Sequence, residues 1–318
     1  MRKTAGRCAS QIPGSLGGIM SRLPALVLLV LALTLSGCGP KAPGEKNVDI
    51  IDAEQALELV EDGALLVDVQ DFLRYNRAHI AGAVNVSRAD IVVNYPVPGL
   101  VAPPEQIEDI MSYVGIGKDT MVVAYDANAN MDAARLWWTL KYYGHDSVRV
   151  VSGGMDALEA AGAEVTAEMP IEESAAFSAS APRSEMLIDM AGVRAQVDNP
   201  DPDTVLVDVR SLEEYSEGTI PGSICLDYTG NNFPDGTYRP VQHIRIRYLE
   251  QGIDYDNRII VYCVTSMRAA QTYLALYNAG YRDILLYDGG WVEWSADPDN
   301  PVQAPEETTI EATTSDIS

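Results

Sequence analysis

The chain has few cysteines, few histidines, a shortage of positive charge and almost no long apolar run. Each shortage closes off a class of function. Of four cysteines, Cys8 and Cys38 lie near the N-terminus, and only Cys225 and Cys263 stand beyond them. Two separate thiols supply neither a disulfide framework nor a paired-cysteine metal spacing. The three histidines, His79, His145 and His243, are far apart and form no ligand cluster. The sequence therefore implies no metal and no cofactor. Lys and Arg number 22 against 46 Asp and Glu, giving a net charge of -24. Such a surface repels nucleic acid and anionic lipid, which excludes nucleic acid as a partner. Any site for a small anion must then be built locally. The longest apolar run, Leu23 to Leu35, is too short to span a bilayer comfortably.

Arg22 precedes that run, and Leu35-Ser36-Gly37-Cys38 closes it. This order of cation, apolar segment, box and polar tether (Gly39-Pro40-Lys41) resembles a bacterial lipoprotein signal. The resemblance implies cleavage before Cys38, lipidation of its sulfur and a membrane partner held through that lipid. Gly39 after the lipid cysteine implies, by the same resemblance, the periplasmic side of the outer membrane in a bacterial cell envelope. Met20-Ser21-Arg22 opens a compact signal of its own, so Met20 is an alternative start to Met1.

Beyond the leader, two halves of the chain resemble each other. Leu65-Leu66-Val67-Asp68-Val69-Gln70, Tyr75 and Ile80-Ala81-Gly82 in the first half match Val205-Leu206-Val207-Asp208-Val209-Arg210, Tyr215 and Ile220-Pro221-Gly222 in the second. Further on, Val122-Val123-Ala124-Tyr125-Asp126 falls on Ile259-Ile260-Val261-Tyr262-Cys263, and Met131-Asp132-Ala133-Ala134 on Met267-Arg268-Ala269-Ala270. The first-half loop is one residue longer. Gly153-Gly154 falls on Gly289-Gly290. Alternating apolar runs and helical patterns predict an α/β fold of two domains, each a mainly parallel sheet with helices on both faces. The expected boundaries are a signal peptide over 1–37, a tether over 38–47, one domain over 48–167, a linker over 168–185, a second domain over 186–302 and a disordered acidic tail over 303–318.

The second half carries the chemistry. Ile259-Ile260-Val261-Tyr262 reads as a buried strand, and Ala269, Ala270, Tyr273, Leu274 and Leu276 recur at helical spacing until Gly280. Cys263 opens the loop between them, over the start of a helix, where free backbone N–H groups and the helix dipole favour a thiolate. In the first half, Asp126 stands at this position and Asp132 at that of Arg268. The fold therefore does not demand a cysteine there, which argues against an inert core thiol. The first domain cannot use the same chemistry.

These motifs resemble those of a tandem rhodanese, the sulfurtransferase family: Asp208-Val209-Arg210 with Gly218-Thr219-Ile220-Pro221-Gly222, the loop from Cys263 to Arg268, and Tyr287-Asp288-Gly289-Gly290-Trp291. The resemblance covers about residues 48–300 and implies transfer of sulfane sulfur through a Cys263 persulfide. A donor such as thiosulfate or a mercapto-acid would supply the sulfur, and a thiol or cyanide would accept it. The loop residues Val264, Thr265, Ser266, Met267 and Arg268 would cradle the sulfur, with Arg268 also anchoring the loop. Arg210 is expected either as an anion ligand or in a surface ion pair with Glu213 or Glu214. Asp208 and Trp291 are expected as structural neighbours. Ser266 replaces a glycine common at that loop position, and the loop matches neither a thiosulfate-type nor a mercaptopyruvate-type pattern, so the donor stays open. An alternative reading is an envelope carrier or binding protein that holds sulfur or a related chalcogen for a redox partner. A third, phosphatase-like chemistry, is disfavoured because such relatives use a loop one residue longer. Cys225 is either a small buried side chain or a thiol that closes on Cys263. Arg239, Arg245 and Arg247 either line the cleft mouth or lie on a solvated surface.

Overall fold

The computed structural model describes residues 49–171 and 173–304. The expected signal over 1–37, the lipidation site Cys38, the tether over 38–47 and all but the first two residues of the tail lie outside them. Two five-stranded parallel sheets carry the described chain. In the first the strands run Ile50–Ile51, Val148–Val151, Val122–Tyr125, Leu65–Asp68, Val84–Asn85. In the second they run Leu187–Ile188, Ile284–Tyr287, Arg258–Tyr262, Thr204–Asp208, Ile224–Cys225. The two orders are the same once the repeat is aligned.

Local sequence explains the elements. Val122–Tyr125 is buried throughout, and Arg258–Tyr262 at all but its first residue, as expected for continuous apolar strands covered on both faces. Asp52 caps the helix Ala53–Glu61, with Gln55 completing the capping box. Ser211 and Glu214 do the same for Leu212–Glu217. The register sets Asp208 beside Tyr262 on one side and Cys225 on the other.

The halves share one core. The helices Met131–Tyr142 and Met267–Ala279 pack against each other, with Trp137 against Tyr273 (6.1 Å) and Tyr277 (5.4 Å). A single cluster of buried apolar residues runs from Val67 in the first half to Leu286 in the second. The expected linker is laid along the first half rather than loose. Its backbone bonds to helix ends there, as in Ala175 N to Ser112 O (2.9 Å) and Ser180 N to Tyr143 O (2.9 Å). Gln303, placed at the start of the tail, instead pairs in both directions with Thr219.

Candidate active site

Cys263 lies at the end of the strand Arg258–Tyr262, and the helix Met267–Ala279 starts after Ser266. The carbonyl of Cys263 accepts from Trp291 N (2.8 Å), and that of Val264 from Val292 N (3.2 Å). In a trans peptide the N–H points opposite to the carbonyl. The amides of Val264 and Thr265 are therefore turned away from the Gly289-Gly290 turn. Gly290 makes this approach possible: a Cβ there would come within 2.7 Å of the Cys263 oxygen. Ser266 holds the left-handed conformation (φ 69, ψ -5) that favours glycine, at a cost of about 1 kcal/mol. Its hydroxyl donates to the carbonyls of Asp288 and Tyr287 (3.3 Å to the latter), which fixes the loop from behind. Ser266 thus anchors the loop, and its hydroxyl does not face a substrate.

The first half provides an internal standard for this loop. Asn130 holds the same left-handed conformation (φ 66, ψ 11) before its helix. Met155 N donates to the Asp126 carbonyl (2.8 Å), as Trp291 N does to Cys263. Within this loop the Asp126 carboxylate accepts four backbone N–H groups: Asn128 (2.9 Å) and Asn130 (3.0 Å) on one oxygen, Asp132 (2.8 Å) and Ala133 (2.9 Å) on the other. The loop is an anion cradle, and in the first half a side chain fills it. Through the repeat, Thr265, Arg268 and Ala269 stand where Asn128, Asp132 and Ala133 donate.

The structure corrects several expected site residues. Arg210 is buried and committed to Asp208 (2.6 Å) and the Gly218 carbonyl (2.6 Å), with its guanidinium 4.4 Å over the Trp291 ring. It is therefore neither a free anion ligand nor a surface partner of Glu213 or Glu214. Gln70, its counterpart, clamps Asp68 in the same way (2.9 Å), so the position serves its own strand. Asp208 also accepts from Thr219 Oγ1 (2.9 Å), which meets the Tyr262 hydroxyl (2.7 Å) behind the cysteine. Met267 is buried in the core and can offer the loop only its backbone. Val264 and Thr265 remain partly exposed at the loop.

Arg268 stands beside the Cys263 sulfur, but both of its terminal nitrogens bind Glu214 (2.6 and 2.8 Å). The pair holds the Glu214 carboxyl down to about 2, with the Ser211 amide adding to the effect. Glu214 enters the sequence reading only as a candidate partner of Arg210, and Tyr228, 6.0 Å below the Arg268 guanidinium, is not singled out there. The repeat held a signal for the second only. In the first half Arg88 stands at the Tyr228 position and pairs with Asp132 (2.6 Å), whereas Arg74, at the Glu214 position, pairs with Asp71 (3.2 Å).

Cys225 cannot reach Cys263. It is two strands from Tyr262, about 9–10 Å away by sheet spacing, whereas a disulfide needs Cα atoms within about 7 Å. Both thiols are free, and burial, with Asp208 next, pushes the Cys225 thiol up. Of the arginine cluster, Arg245 is drawn away to the Ala279 carbonyl (2.8 Å), while Arg239, stacked on Phe233 (4.7 Å), and Arg247, bound to the Asp227 carbonyl (2.9 Å), line one open cavity with His243. A cavity of about 440 Å³ opens over the first-half loop, lined by Gln70, Ser87, Arg88 and Asp132 among others. Asp126 already fills the cradle of that loop, and no cysteine lines the cavity. No group of His, Cys, Asp and Glu that could hold a metal ion exists among the described residues.

Comparison with known proteins agrees with the repeat. The rhodanese-like domain family matches residues 52–161 and again 190–297. A Haloferax volcanii protein named "Putative thiosulfate sulfurtransferase" is 31% identical over 83% of this chain and 93% of its own length. The "Sulfur carrier protein TtuD" of Thermus thermophilus is 30% identical over 71% of this chain and 85% of its own. Among solved structures, the anaerobic ergothioneine biosynthesis enzyme of Chlorobium limicola superimposes with a TM-score of 0.75, at 24% identity over 81% of this chain and 71% of that one. At that identity the likeness concerns the fold.

Proposed function

The chain belongs to the rhodanese-like domain family, with two such domains in tandem, and from that premise we propose that it is a sulfurtransferase working through Cys263. One observation carries the reading. The loop equivalent to that of Cys263 holds a carboxylate on four backbone amides, so this fold builds an anion cradle at that place. In the second half the group set there is a sulfur, with the Arg268 guanidinium beside it. The Cys263 thiolate attacks the donor's terminal sulfur and the bond holding that sulfur breaks, releasing sulfite from thiosulfate, a thiolate from a persulfide, or the enolate of pyruvate from 3-mercaptopyruvate. The terminal sulfur of the Cys263 persulfide then carries the negative charge, which the loop amides stabilise. A thiol or cyanide attacks that sulfur and restores the thiolate. Cys263 is 1% exposed, which suits donors that present a slender terminal sulfur. No general base is required once the thiol is ionised.

Mass spectrometry of the intact protein after exposure to thiosulfate, a low-molecular-weight persulfide and 3-mercaptopyruvate tests the reading. One added sulfur on Cys263 is expected from at least one of them. Failure of the whole panel would overturn the assignment. A second reading, a carrier that loads sulfur and hands it to an envelope redox partner with little turnover, is favoured by the similarity to the Thermus sulfur carrier. Fast loading together with negligible steady-state turnover to cyanide and small thiols would select it.

We also propose that Cys38 carries a lipid that holds the chain at the cell envelope, on the basis of the leader sequence alone. In a bacterial host Cys38→Ser should move the protein from the membrane fraction to the soluble fraction. An unchanged distribution would remove the proposal.

A further inference from the structure

The active-site loop is braced from the other half of the molecule. Arg135, on the first-half helix Met131–Tyr142, is completely buried. One terminal nitrogen lies 2.7 Å from an Asp288 carboxylate oxygen, and the other donates to the Gly99 carbonyl (3.1 Å). Both targets touch the Cys263 loop. Asp288 receives the Ser266 hydroxyl on its own carbonyl, and Val101 N on its second carboxylate oxygen (2.7 Å). Gly99 lies so close to the loop that a Cβ there would sit 2.9 Å from Thr265 Cβ and 3.0 Å from the Thr265 oxygen. Arg135 therefore holds two arms, one behind Ser266 and one over Thr265.

The repeat again provides a control. The reciprocal crossover, from the second half to the loop of Asp126, has Gln271 at the Arg135 position and Ser152 at the Asp288 position. Tyr238 N donates to Ser152 Oγ (2.8 Å), as Val101 N does to Asp288, and Gln271 bonds Asn232 (2.8 Å). Gln271 stays within its own half, so the reciprocal crossover is made by neutral groups such as Tyr238 N and Ser152, with no equivalent of the Arg135–Asp288 pair. A buried ion pair gives little net stability over a neutral or apolar replacement, because desolvation offsets the attraction. The charge pair is a close ion contact rather than an aligned hydrogen bond, and the charges occur on the arm that reaches the cysteine.

We propose that Arg135 is a positioning residue for the Cys263 loop, acting through Asp288 and Gly99, so that the half without a nucleophile is a working part of the active site. The inference builds on the function proposed for Cys263, but its test reads the loop directly. The double variant Arg135→Gln/Asp288→Ser installs the two neutral residues that stand at the equivalent positions on the other side, Gln271 and Ser152, and it avoids leaving one charge buried alone. Hydrogen exchange is followed in the peptide covering Val264–Met267 and in the strand Ile259–Val261, with Cys263 alkylation by iodoacetamide at fixed pH. The loop should exchange about tenfold faster and alkylation should change about fivefold or more, while the strand keeps its protection. Loop exchange and alkylation within about twofold of the unaltered protein would overturn the proposal, as would loosening of loop and strand together. Sulfur loading on the unaltered protein is measured in parallel. Its absence would remove the sulfurtransferase reading and leave the exchange data to decide this inference.

Discussion

Cys263→Ser should lower sulfur transfer by about a thousandfold or more, to the background of donor and acceptor reacting in solution. The oxygen of serine is a poor nucleophile toward sulfur, and the other thiol among the described residues cannot substitute. Cys225 is two strands away, hydrogen-bonded to the Arg210 carbonyl and pushed toward the neutral thiol. The fold should not suffer, because the equivalent first-half loop closes in the same conformation with an aspartate at this position. The melting temperature is expected to stay within a few degrees, since removing one buried thiol is worth about 1 kcal/mol. A folded Cys263→Ser protein that kept more than about a tenth of the activity would sink the assignment of the nucleophile.

The architecture was legible because its signals are periodic. Apolar runs such as Ile259–Tyr262, the helical spacing after Ser266 and the Gly-Gly turns recur in both halves, so each half checked the other. The cysteine position was legible for the same reason. Side-chain commitments were not, because a sequence does not say which carboxylate a guanidinium meets. Arg268 meets Glu214 across 54 residues, and Arg210 turns back on Asp208 two residues away. Gln70 at the Arg210 position gave no warning, because a half without the nucleophile need not keep an anion ligand; only the structure shows that both residues clamp the aspartate two positions earlier. The contacts between halves were beyond reach altogether. A repeat shows what each half builds alone, but the meeting of Gly99 with Thr265 and of Arg135 with Asp288 depends on how the halves dock.

Asp126→Ala should destabilise the protein by about 3 kcal/mol or more, because it orphans four buried amides whose desolvation costs about 1–3 kcal/mol each when unpaired. In a chain of this size that is a fall in melting temperature of about 10 °C. Asp126→Asn should recover little, since its one oxygen can serve two of the amides while its NH₂ confronts the N–H groups of Asp132 and Ala133. The charge on Asp126 also gives stability a pH dependence of known sign. Burial, aided by the Asp132 carboxylate, raises the Asp126 carboxyl to about 6 against the pull of the amides. A carboxyl raised above its unfolded value stabilises the fold most when protonated, and that contribution is lost as pH rises through about 6. Acidification from about pH 7 to 5 should therefore stabilise the unaltered protein by on the order of 1 kcal/mol relative to Asp126→Asn, read from denaturant unfolding at the two pH values. Formate should bind the emptied cradle of Asp126→Gly and return part of the lost stability, as any ligand of the folded state does. If Asp126→Ala costs nothing, the loop amides are not holding negative charge. The same amides around Cys263 would then lose their claim to hold the charge of a persulfide.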